Sequence, residues 1–226
     1  MKQTGRLGFR IVTDLPRPAP ELVARFRGIA SSNAADAMGR FHFMDPGITS
    51  RSGMAACGVA ITVSCRPGDN LMVHKALEVA EPGDVVVVTT NGNTTSAVFG
   101  ELMCHAAVAA RLGGIVVDGA IRDVSEIADL SFPAFSRSVS PGGCDKDGPG
   151  EINVPIACGG TAVMPGDIVL GDEDGVVVVP REAAEEVAEL VDALKAEEAA
   201  RIEAIRGGEI FKAQIDENLR AQGVME

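Results

Sequence analysis

The stretch GIVVDGAIRDVSEI, residues 114–127, combines the pattern of a strand with that of a helix. It begins with an apolar, β-branched run that is typical of a buried strand, and the residues after Asp123 are spaced like a short helix. Arg122 and Asp123 lie between these two elements. In open α/β sheets, ligands bind beyond the carboxyl ends of parallel strands, so this position favours a binding site. A simpler interpretation stays open, in which Asp123 caps the helix and Arg122 forms a surface ion pair.

Other short β-branched runs are bounded by Gly, Pro and Asp, which indicates strands. The early runs alternate with helical stretches, whereas the later ones follow one another directly. Alternation predicts parallel β-α-β crossovers, so we assign the α/β class and a compact β/β/α sandwich. The predicted strands are residues 59–64, 85–90, 114–119, 134–139, 152–158, 167–172 and 175–180.

Helical periodicity marks the segments around these strands. Two short helices are predicted within residues 19–39, and the second starts with Ser31, Ser32 or Asn33 as its cap. The other predicted helices are residues 71–80, 97–112, 124–130 and 181–206.

The last of these helices is long and is followed by Gly207 and Gly208, which end it. A short further helix is expected after them. Glu198 falls on the apolar stripe of the long helix, four residues after Leu194 and four before Ile202. A carboxylate in that place is either a charge at the rim or one directed at a cation. The stripe consists of Val187, Leu190, Val191, Leu194, Ile202 and Ile205.

The tripeptide Pro-Gly-Asp occurs at residues 67–69, 82–84 and 165–167. Proline followed by glycine suits the two central positions of a type II turn. We therefore predict three turns of one type and not an internal repeat.

Length and composition narrow the class of protein. The 226 residues suit one domain with an added terminal element, so we interpret residues 1–226 as a single domain. Its core would span about residues 20–180, with a helical extension at 181–226. No apolar run approaches the roughly 18 residues of a membrane span, and the first residues lack a signal-peptide pattern. A cytoplasmic location without membrane contact is the expectation.

The net charge and the cysteines argue against several classes of binding partner and structural site. The net charge of −12 disfavours binding to nucleic acid or anionic membranes, because both repel an acidic surface. Five cysteines are scattered without a CxxC pair, so neither a disulfide framework nor a structural zinc site is expected.

A second carboxylate, Glu101, stands near the start of the preceding helix, and one helix plus one strand would bring it to the same sheet edge as Arg122. Two carboxylates and a guanidinium suit an oxyacid: the carboxylates hold a hard cation such as Mg²⁺, and arginine grips a carboxylate or enolate oxygen. The polar run at 91–96 adds backbone N–H groups for a substrate carboxylate. Considered alone, Glu101 can also be explained by the favourable interaction of its negative charge with the N-terminal end of the helix dipole.

Histidines offer an alternative. His105 lies one helical turn after Glu101, so the pair could bind a transition metal together with Asp123. His42 and His74 have no visible partner, and structural roles are expected for them. No GxSxG motif occurs, and the glycine-rich run at 141–150 lacks the ending of a phosphate loop, so we interpret it as a surface or rim loop.

Residues 100–123 resemble a family signature. Glu101 is followed by twenty residues, 102 through 121, and then by Arg122 and Asp123. This resembles the carboxylate, twenty-residue gap and Arg-Asp motif of the 4-hydroxy-4-methyl-2-oxoglutarate / 4-carboxy-4-hydroxy-2-oxoadipate aldolase family, which includes RraA-like regulators of ribonuclease E. The likeness covers about residues 20–210 and extends to RPGDNLMVHKALEVAEPGDVVVV, GGIVVDGAIRDVSEI, FPAFSRSVSP and VMPGDIVLGDEDGVVVVP.

The resemblance implies a swivelling-domain-like sandwich with N-terminal helices and a long C-terminal helix. It also implies a metal-dependent aldolase that uses no lysine Schiff base and splits pyruvate from a 4-hydroxy-2-oxo diacid. By this resemblance, Asp123 binds Mg²⁺ or Mn²⁺ directly, Glu101 holds a water of the ion, and Arg122 binds the pyruvyl oxygens. Oxaloacetate decarboxylation would follow as a side activity, because losing CO₂ leaves the same pyruvate enolate.

The resemblance also implies roles for the residues beside this motif. The backbone amides of Leu102 and Met103, in the segment that begins at Gly100, would take the substrate carboxylate. Glu198 would complete the site of a neighbouring subunit. The assembly would be a homotrimer or a hexamer of stacked trimers.

Two departures from the family pattern bear on the substrate. Glu101 replaces an expected Asp, which moves the carboxylate outward by one methylene, and His105 replaces a small residue. A noncatalytic regulator that binds a ribonuclease is the alternative function. A lyase or hydratase acting on another oxyacid is a third possibility.

Overall fold

The computed structural model describes residues 2–225. Strands and helices alternate one by one between residues 56 and 139. The strands are β1 Lys2–Arg6, β2 Phe9–Thr13, β3 Thr49–Ser50, β4 Ala56–Cys65, β5 Val85–Ala97, β6 Gly114–Ile121, β7 Ala134–Val139, β8 Gly150–Ile152, β9 Ile156–Cys158, β10 Thr161–Val163, β11 Ile168–Asp172 and β12 Gly175–Val179. The helices are α1 Pro20–Arg25, α2 Ser31–Ala37, α3 Leu71–Val79, α4 Glu101–Ala109, α5 Val124–Asp129, a 3-10 turn Arg181–Ala183, α6 Ala184–Arg206 and α7 Ala213–Ala221.

The main sheet has the strand order β1-β2-β8-β4-β5-β6-β7-β3. Strands β4, β5, β6 and β7 run parallel to one another, and α3, α4 and α5 connect them in turn. The hairpin β11–β12 joins β4 through an antiparallel ladder. The predicted α/β class and the parallel β-α-β crossovers are confirmed.

Both faces of the parallel strands are buried. Val86, Val88 and Val117 belong to the apolar cluster beneath α3, α4 and α5, whereas Val85 and Val87 belong to the cluster on the opposite face. Successive side chains of a strand point to opposite faces, so a strand covered on both faces needs a continuous apolar run. This explains the sequence VVVV at the start of β5.

A third cluster connects the β11–β12 hairpin to the helices at the two ends of the chain. Val187 and Val191 of α6 pack there with Ile168 and Val177. The later part of α6 extends beyond this contact, and Ile202 is 48% exposed. Among residues 2–225, no helix combines the length and the apolar character that crossing a bilayer requires.

Some element boundaries differ from the prediction. The helix expected at 97–112 begins only at Glu101, because β5 continues to Ala97 as an irregular ladder through the polar run. The strand expected at 152–158 is divided into β8 and β9 around Pro155, since proline has no N–H to donate to a ladder. The β1–β2 hairpin was not predicted.

The cap expected for α2 is also wrong. Its N-cap residue is Ala30, and no side chain caps the helix. Ser31 instead donates its backbone N–H and its hydroxyl to the carboxylate of Asp172, at 2.7 and 2.6 Å. A serine at a helix start therefore serves here to attach α2 to the end of β11.

The three Pro-Gly-Asp segments form the predicted turns. Gly68, Gly83 and Gly166 have φ values of 81°, 91° and 94°, as the third position of a type II turn requires. The aspartates that follow are buried, and each carboxylate accepts backbone N–H groups. The turns are thus held from inside by a buried carboxylate.

One of these carboxylates predicts a large effect on stability. Asp84 has a side chain only 3% exposed and accepts two hydrogen bonds from Arg17, at 2.7 and 2.8 Å. We expect Arg17→Met to lower the free energy of unfolding by about 3 kcal/mol, because it leaves a buried charge without its partner. Urea denaturation would measure the change. The matched control is Arg25→Met, which breaks an exposed pair with Asp192 and should cost less than about 1 kcal/mol. Equal effects of the two substitutions would contradict the prediction.

Candidate functional site

The site is built around the residue that ends β6. Asp123 follows this strand with φ 56°, a left-handed conformation that is uncommon for a residue other than glycine. It is the N-cap residue of α5, yet its side chain makes no hydrogen bond to that helix. Its Oδ2 atom accepts the backbone N–H of Glu101 at 3.0 Å. The interpretation in which the side chain of Asp123 caps α5 is therefore wrong. Asp123 instead connects the end of β6 to the start of α4.

Arg122 lies beside this carboxylate. Its Nε atom is 3.4 Å from Oδ2 of Asp123, and its side chain is 47% exposed. Its backbone N–H donates to the carbonyl of Phe99 at 3.0 Å, which fixes the backbone position. Within residues 2–225 its Nη atoms have no hydrogen-bond acceptor, so most N–H groups of the guanidinium are free.

Gly100 makes the close approach of these residues possible. A Cβ atom at this position would lie 2.6 Å from Oδ2 of Asp123 and 3.2 Å from Nε of Arg122. The backbone of Gly100 is extended, with φ −161°, so any residue could adopt its conformation. Glycine is required here by space alone.

This contact gives a sharp prediction. We expect Gly100→Ala to displace Asp123 and Arg122 and to lower the catalytic efficiency of any reaction at this site at least about tenfold. Steady-state kinetics of the purified variant would measure it. The matched control is Gly207→Ala, where φ is −75° and the nearest atoms are 3.4 Å from the new Cβ, so activity should be unchanged. Full activity in the Gly100→Ala variant would show that the close contact is not needed.

The start of α4 adds two free donors. The first N–H groups of a helix have no partner within it. The N–H of Glu101 is taken by Asp123 and that of Cys104 by Gly100. Within residues 2–225, the amides of Leu102 and Met103 have no acceptor. Leu102 and Met103 line the same cavity as Arg122 and Asp123, and the volume of this cavity is about 210 Å³.

The Glu101 side chain lies at the edge of the site and outside the cavity wall. Its Oε1 atom is 3.8 Å from Nε2 of His105, and its side chain is 45% exposed. Among residues 2–225, no three His, Cys, Asp or Glu side chains are grouped closely enough to hold a metal ion. The transition-metal site of Glu101, His105 and Asp123 is therefore not formed.

Glu198 is not part of this cavity in its own chain. It lies exposed on α6 and accepts a hydrogen bond from Nδ2 of Asn33 at 2.9 Å. It borders a different depression, together with Arg201 and Lys212. Its predicted contribution to a neighbouring subunit stays a prediction.

The opposite wall of the cavity comes from residues to which sequence reasoning gave no role at the site. Asn70 and His74 belong to the start of α3, and Cys144 and Lys146 to the run 141–150. Asn70 donates Nδ2 to the carbonyl of Val98 at 3.2 Å. Burial, followed by the charge of Lys146, holds the pKa of His74 below its ordinary value.

A buried aspartate holds this wall in place. Asp69 accepts the backbone N–H groups of Leu71, Asp147 and Gly148, at 2.9, 2.9 and 2.6 Å. Burial alone would raise the pKa of Asp69, but these N–H groups lower it below its ordinary value. The run 141–150 is therefore a rim loop, as predicted. It follows β7, so the rule that located Arg122 after β6 could also have located Lys146.

Thiol chemistry is disfavoured at the site. Burial is the main cause that raises the pKa of Cys144, and Asp69 and Asp145 raise it further. A thiol with a raised pKa is a poor nucleophile near neutral pH, because little thiolate is present. The residues that line the cavity instead include two cations, Arg122 and Lys146, which also supply N–H donors.

Comparison with known proteins agrees with this architecture. A family model described as RraA-like, Aldolase/RraA, matches residues 31–178. A protein of Halalkalibacterium halodurans named putative 4-hydroxy-4-methyl-2-oxoglutarate aldolase is 43% identical over 148 residues, covering 66% of this chain and 70% of that protein. A protein of Thermus thermophilus named 4-hydroxy-4-methyl-2-oxoglutarate aldolase is 34% identical over 112 residues, covering 50% of this chain and 68% of that protein.

A solved structure has the same fold. The crystal structure of RraAS2 from Streptomyces coelicolor, described as an unusual member of the RNase ES inhibitor RraA protein family, matches with a TM-score of 0.73 and 29% identity. The match covers 84% of this chain and 100% of that one. Fold, signature residues and family model agree, and this chain belongs to the RraA-like family.

Proposed function

We propose that the protein is a cytoplasmic, divalent-metal-dependent aldolase that releases pyruvate from a 4-hydroxy-2-oxo diacid. Substrates of this kind include 4-hydroxy-4-methyl-2-oxoglutarate and 4-carboxy-4-hydroxy-2-oxoadipate, and oxaloacetate decarboxylation would be a side activity. One observation carries the proposal. Arg122, Asp123, Leu102 and Met103 line a single cavity at the carboxyl end of β6, and the amides of Leu102 and Met103 have no acceptor among residues 2–225. The names of the aldolase relatives support the same reaction class.

The side chains present fit Mg²⁺ or Mn²⁺ held mainly by water and substrate. Mg²⁺ prefers oxygen ligands, keeps several waters and needs only one or two carboxylates from the protein. Asp123 would be the direct ligand, and Glu101 would act through a water. A closed cage of protein ligands is not present among residues 2–225. A bound divalent ion would supply positive charge that stabilises an enolate oxygen.

The protein groups have separate tasks in cleavage. The amides of Leu102 and Met103, at the positive end of α4, would hold the C1 carboxylate. The C4 hydroxyl loses its proton, the C3–C4 electron pair moves toward the C2 carbonyl, and C4 becomes a carbonyl group. Arg122 would donate hydrogen bonds to the resulting enolate oxygen. Glu101, whose exposed side chain is free to turn, would accept the hydroxyl proton through a water. Protonation at C3 then gives pyruvate.

Lys146 supports a diacid as the substrate. It lines the same cavity as Arg122, so two cations are available for two carboxylate groups. We expect Lys146→Met to raise KM for a diacid about tenfold while kcat changes little, because binding of the distal carboxylate is the same in the ground and transition states. Steady-state kinetics would measure both constants. The control is Lys75→Met, which breaks only an exposed pair with Glu78 and should leave KM unchanged. An unchanged KM for Lys146→Met would remove it from substrate binding.

We also propose a homotrimer or hexamer in which Glu198 completes a neighbouring site. Its exposed position on α6 supports this arrangement, as do the nearby apolar side chains of Ile202 and Ile205, which are 48% and 44% exposed. Contact with a second copy would remove this apolar surface from water.

The decisive experiment is a metal-supplemented screen of purified protein with oxaloacetate and 4-hydroxy-2-oxo diacids, read through pyruvate release. We expect turnover with Mg²⁺ or Mn²⁺ and its loss with EDTA. Turnover that survives EDTA would remove the metal from the proposal, and the absence of turnover on every diacid would overturn the aldolase.

The second candidate is a noncatalytic regulator that binds a ribonuclease. The likeness to a protein described as belonging to an RNase inhibitor family favours it. A regulator would give no turnover, and its acidic surface would form a salt-sensitive complex with a basic partner. Pyruvate release separates the two candidates directly.

A further inference from the structure

A second cavity of about 390 Å³ lies between the β1–β2 hairpin and the segments around β8 and β10. It shares no residue with the candidate functional site, and its volume lies in the range of small-molecule pockets. Its walls are mostly apolar and rigid, because three of the residues in them are prolines. The apolar wall residues are Val12, Pro16, Val154, Pro155, Met164 and Pro165.

Asn153, in the wall of this cavity, has an unmet acceptor. Its residue is 2% exposed, and Nδ2 donates to the carbonyl of Val12 at 2.9 Å. Within residues 2–225, its Oδ1 atom accepts no hydrogen bond. Its φ of 57° is left-handed, a conformation that asparagine tolerates better than most residues other than glycine. A buried acceptor without a partner needs an explanation, and a ligand group that donates to it would be one.

Two guanidinium groups border the same cavity. Arg10 pairs through Nη2 with Glu151 at 2.7 Å, and its buried Nε has no acceptor within residues 2–225. Arg181 donates Nη1 to the carbonyl of Pro165 at 2.8 Å and Nη2 to Glu182, and its Nη1 lies 3.9 Å from Oδ1 of Asp167. Since a guanidinium has five N–H donors, both arginines keep free ones. No Asp or Glu is among the described residues that line the cavity, so it suits an anion.

We propose that this cavity binds a small aromatic hydroxy acid. The carboxylate would meet Arg10 and Arg181, the flat ring would lie between the proline and methionine walls, and the hydroxyl would donate to Oδ1 of Asn153. A rigid ring buries apolar area without freezing rotatable bonds, which keeps the entropic cost of binding low. The site is independent of the proposed aldolase activity.

The probe is 3-hydroxybenzoate, whose meta hydroxyl cannot bond to its own carboxylate. Titrated into the full-length protein and followed by calorimetry, it should bind at one site with a dissociation constant below about 1 mM. Benzoate should bind at least about threefold more weakly because it has no donor for Asn153. Phenol should bind at least about tenfold more weakly because it has no carboxylate. Equal affinities of the three compounds would overturn the assignment.

Two matched variants locate the binding. Met164→Trp fills the cavity, and Met54→Trp makes the same change elsewhere; both methionines are 39% exposed. We expect the first to weaken binding at least about tenfold and the second to leave it unchanged. Asn153→Gly tolerates the positive φ and should make benzoate and 3-hydroxybenzoate bind alike.

The Arg122→Ala variant tests whether the probe binds in the candidate functional site instead. We expect this variant to bind the probe normally. Loss of binding in Arg122→Ala but not in Met164→Trp would place the probe in the candidate functional site and overturn the inference. The absence of saturable binding up to about 10 mM would do the same.

Discussion

Replacing Arg122 by alanine is expected to lower kcat/KM for pyruvate release at least about a hundredfold. The side chain is half exposed, and among the residues that the structure describes it forms one ion pair, at 3.4 Å from Asp123. Its removal should therefore leave the fold intact, and the loss should appear in catalysis. If Arg122 stabilises the enolate oxygen, kcat should fall more than KM rises, since the charge develops only in the transition state.

Two further variants make the test specific. Arg122→Lys keeps the charge but loses the planar pair of donors, so it should recover only part of the activity. Arg206→Ala removes an exposed arginine whose partner is Glu203, and its activity should equal that of the unmodified protein. A near-normal rate in Arg122→Ala, with thermal unfolding unchanged, would reject the assigned role.

The second large effect concerns Asp123. We expect Asp123→Asn to abolish Mn²⁺ binding at this site and to lower kcat/KM by more than about a hundredfold. Asparagine tolerates the left-handed backbone of this position and still offers an oxygen to the N–H of Glu101. The fold and the hydrogen bond should thus persist while the negative charge is lost. Calorimetric titration with Mn²⁺ measures the metal independently of activity.

A distant carboxylate provides the control for this variant. Asp192→Asn alters an exposed residue on α6 that pairs only with Arg25, so metal affinity and activity should stay the same. Unchanged Mn²⁺ affinity in Asp123→Asn would show that the ion, if bound, uses other ligands. Loss of both metal binding and thermal stability would instead indicate that the variant fails to fold.

The local pattern of the chain predicted most of the elements correctly. Residues 134–139 form β7 with the predicted bounds, and the three Pro-Gly-Asp turns have the predicted glycine conformation. Such features depend on side-chain period and on the φ preference of neighbouring residues, both of which are visible within a few positions. The polar run 91–96 was harder, because its extension of β5 depends on the ladder with β6.

The candidate site was predicted only in part, because some of its residues are close together in sequence and others are not. Arg122 and Asp123 follow a strand directly, so their place at the sheet edge can be inferred from residues 114–127 alone. Asn70 and Lys146 are far from them in sequence and reach the cavity because Asp69 holds the rim loop against α3. No local pattern announces that a buried carboxylate will bring two distant segments together.

Apolar periodicity and turn residues act over short distances, so the α/β class, the crossovers and the position of the Arg-Asp pair could be predicted from the order of the residues. The hydrogen bond of Asp123 to Glu101, the contact that requires Gly100, and the separation of Glu198 from the cavity in its own chain became visible in the folded molecule. These depend on where side chains point after packing, since residues distant along the chain can interact only once the folded backbone has brought them together.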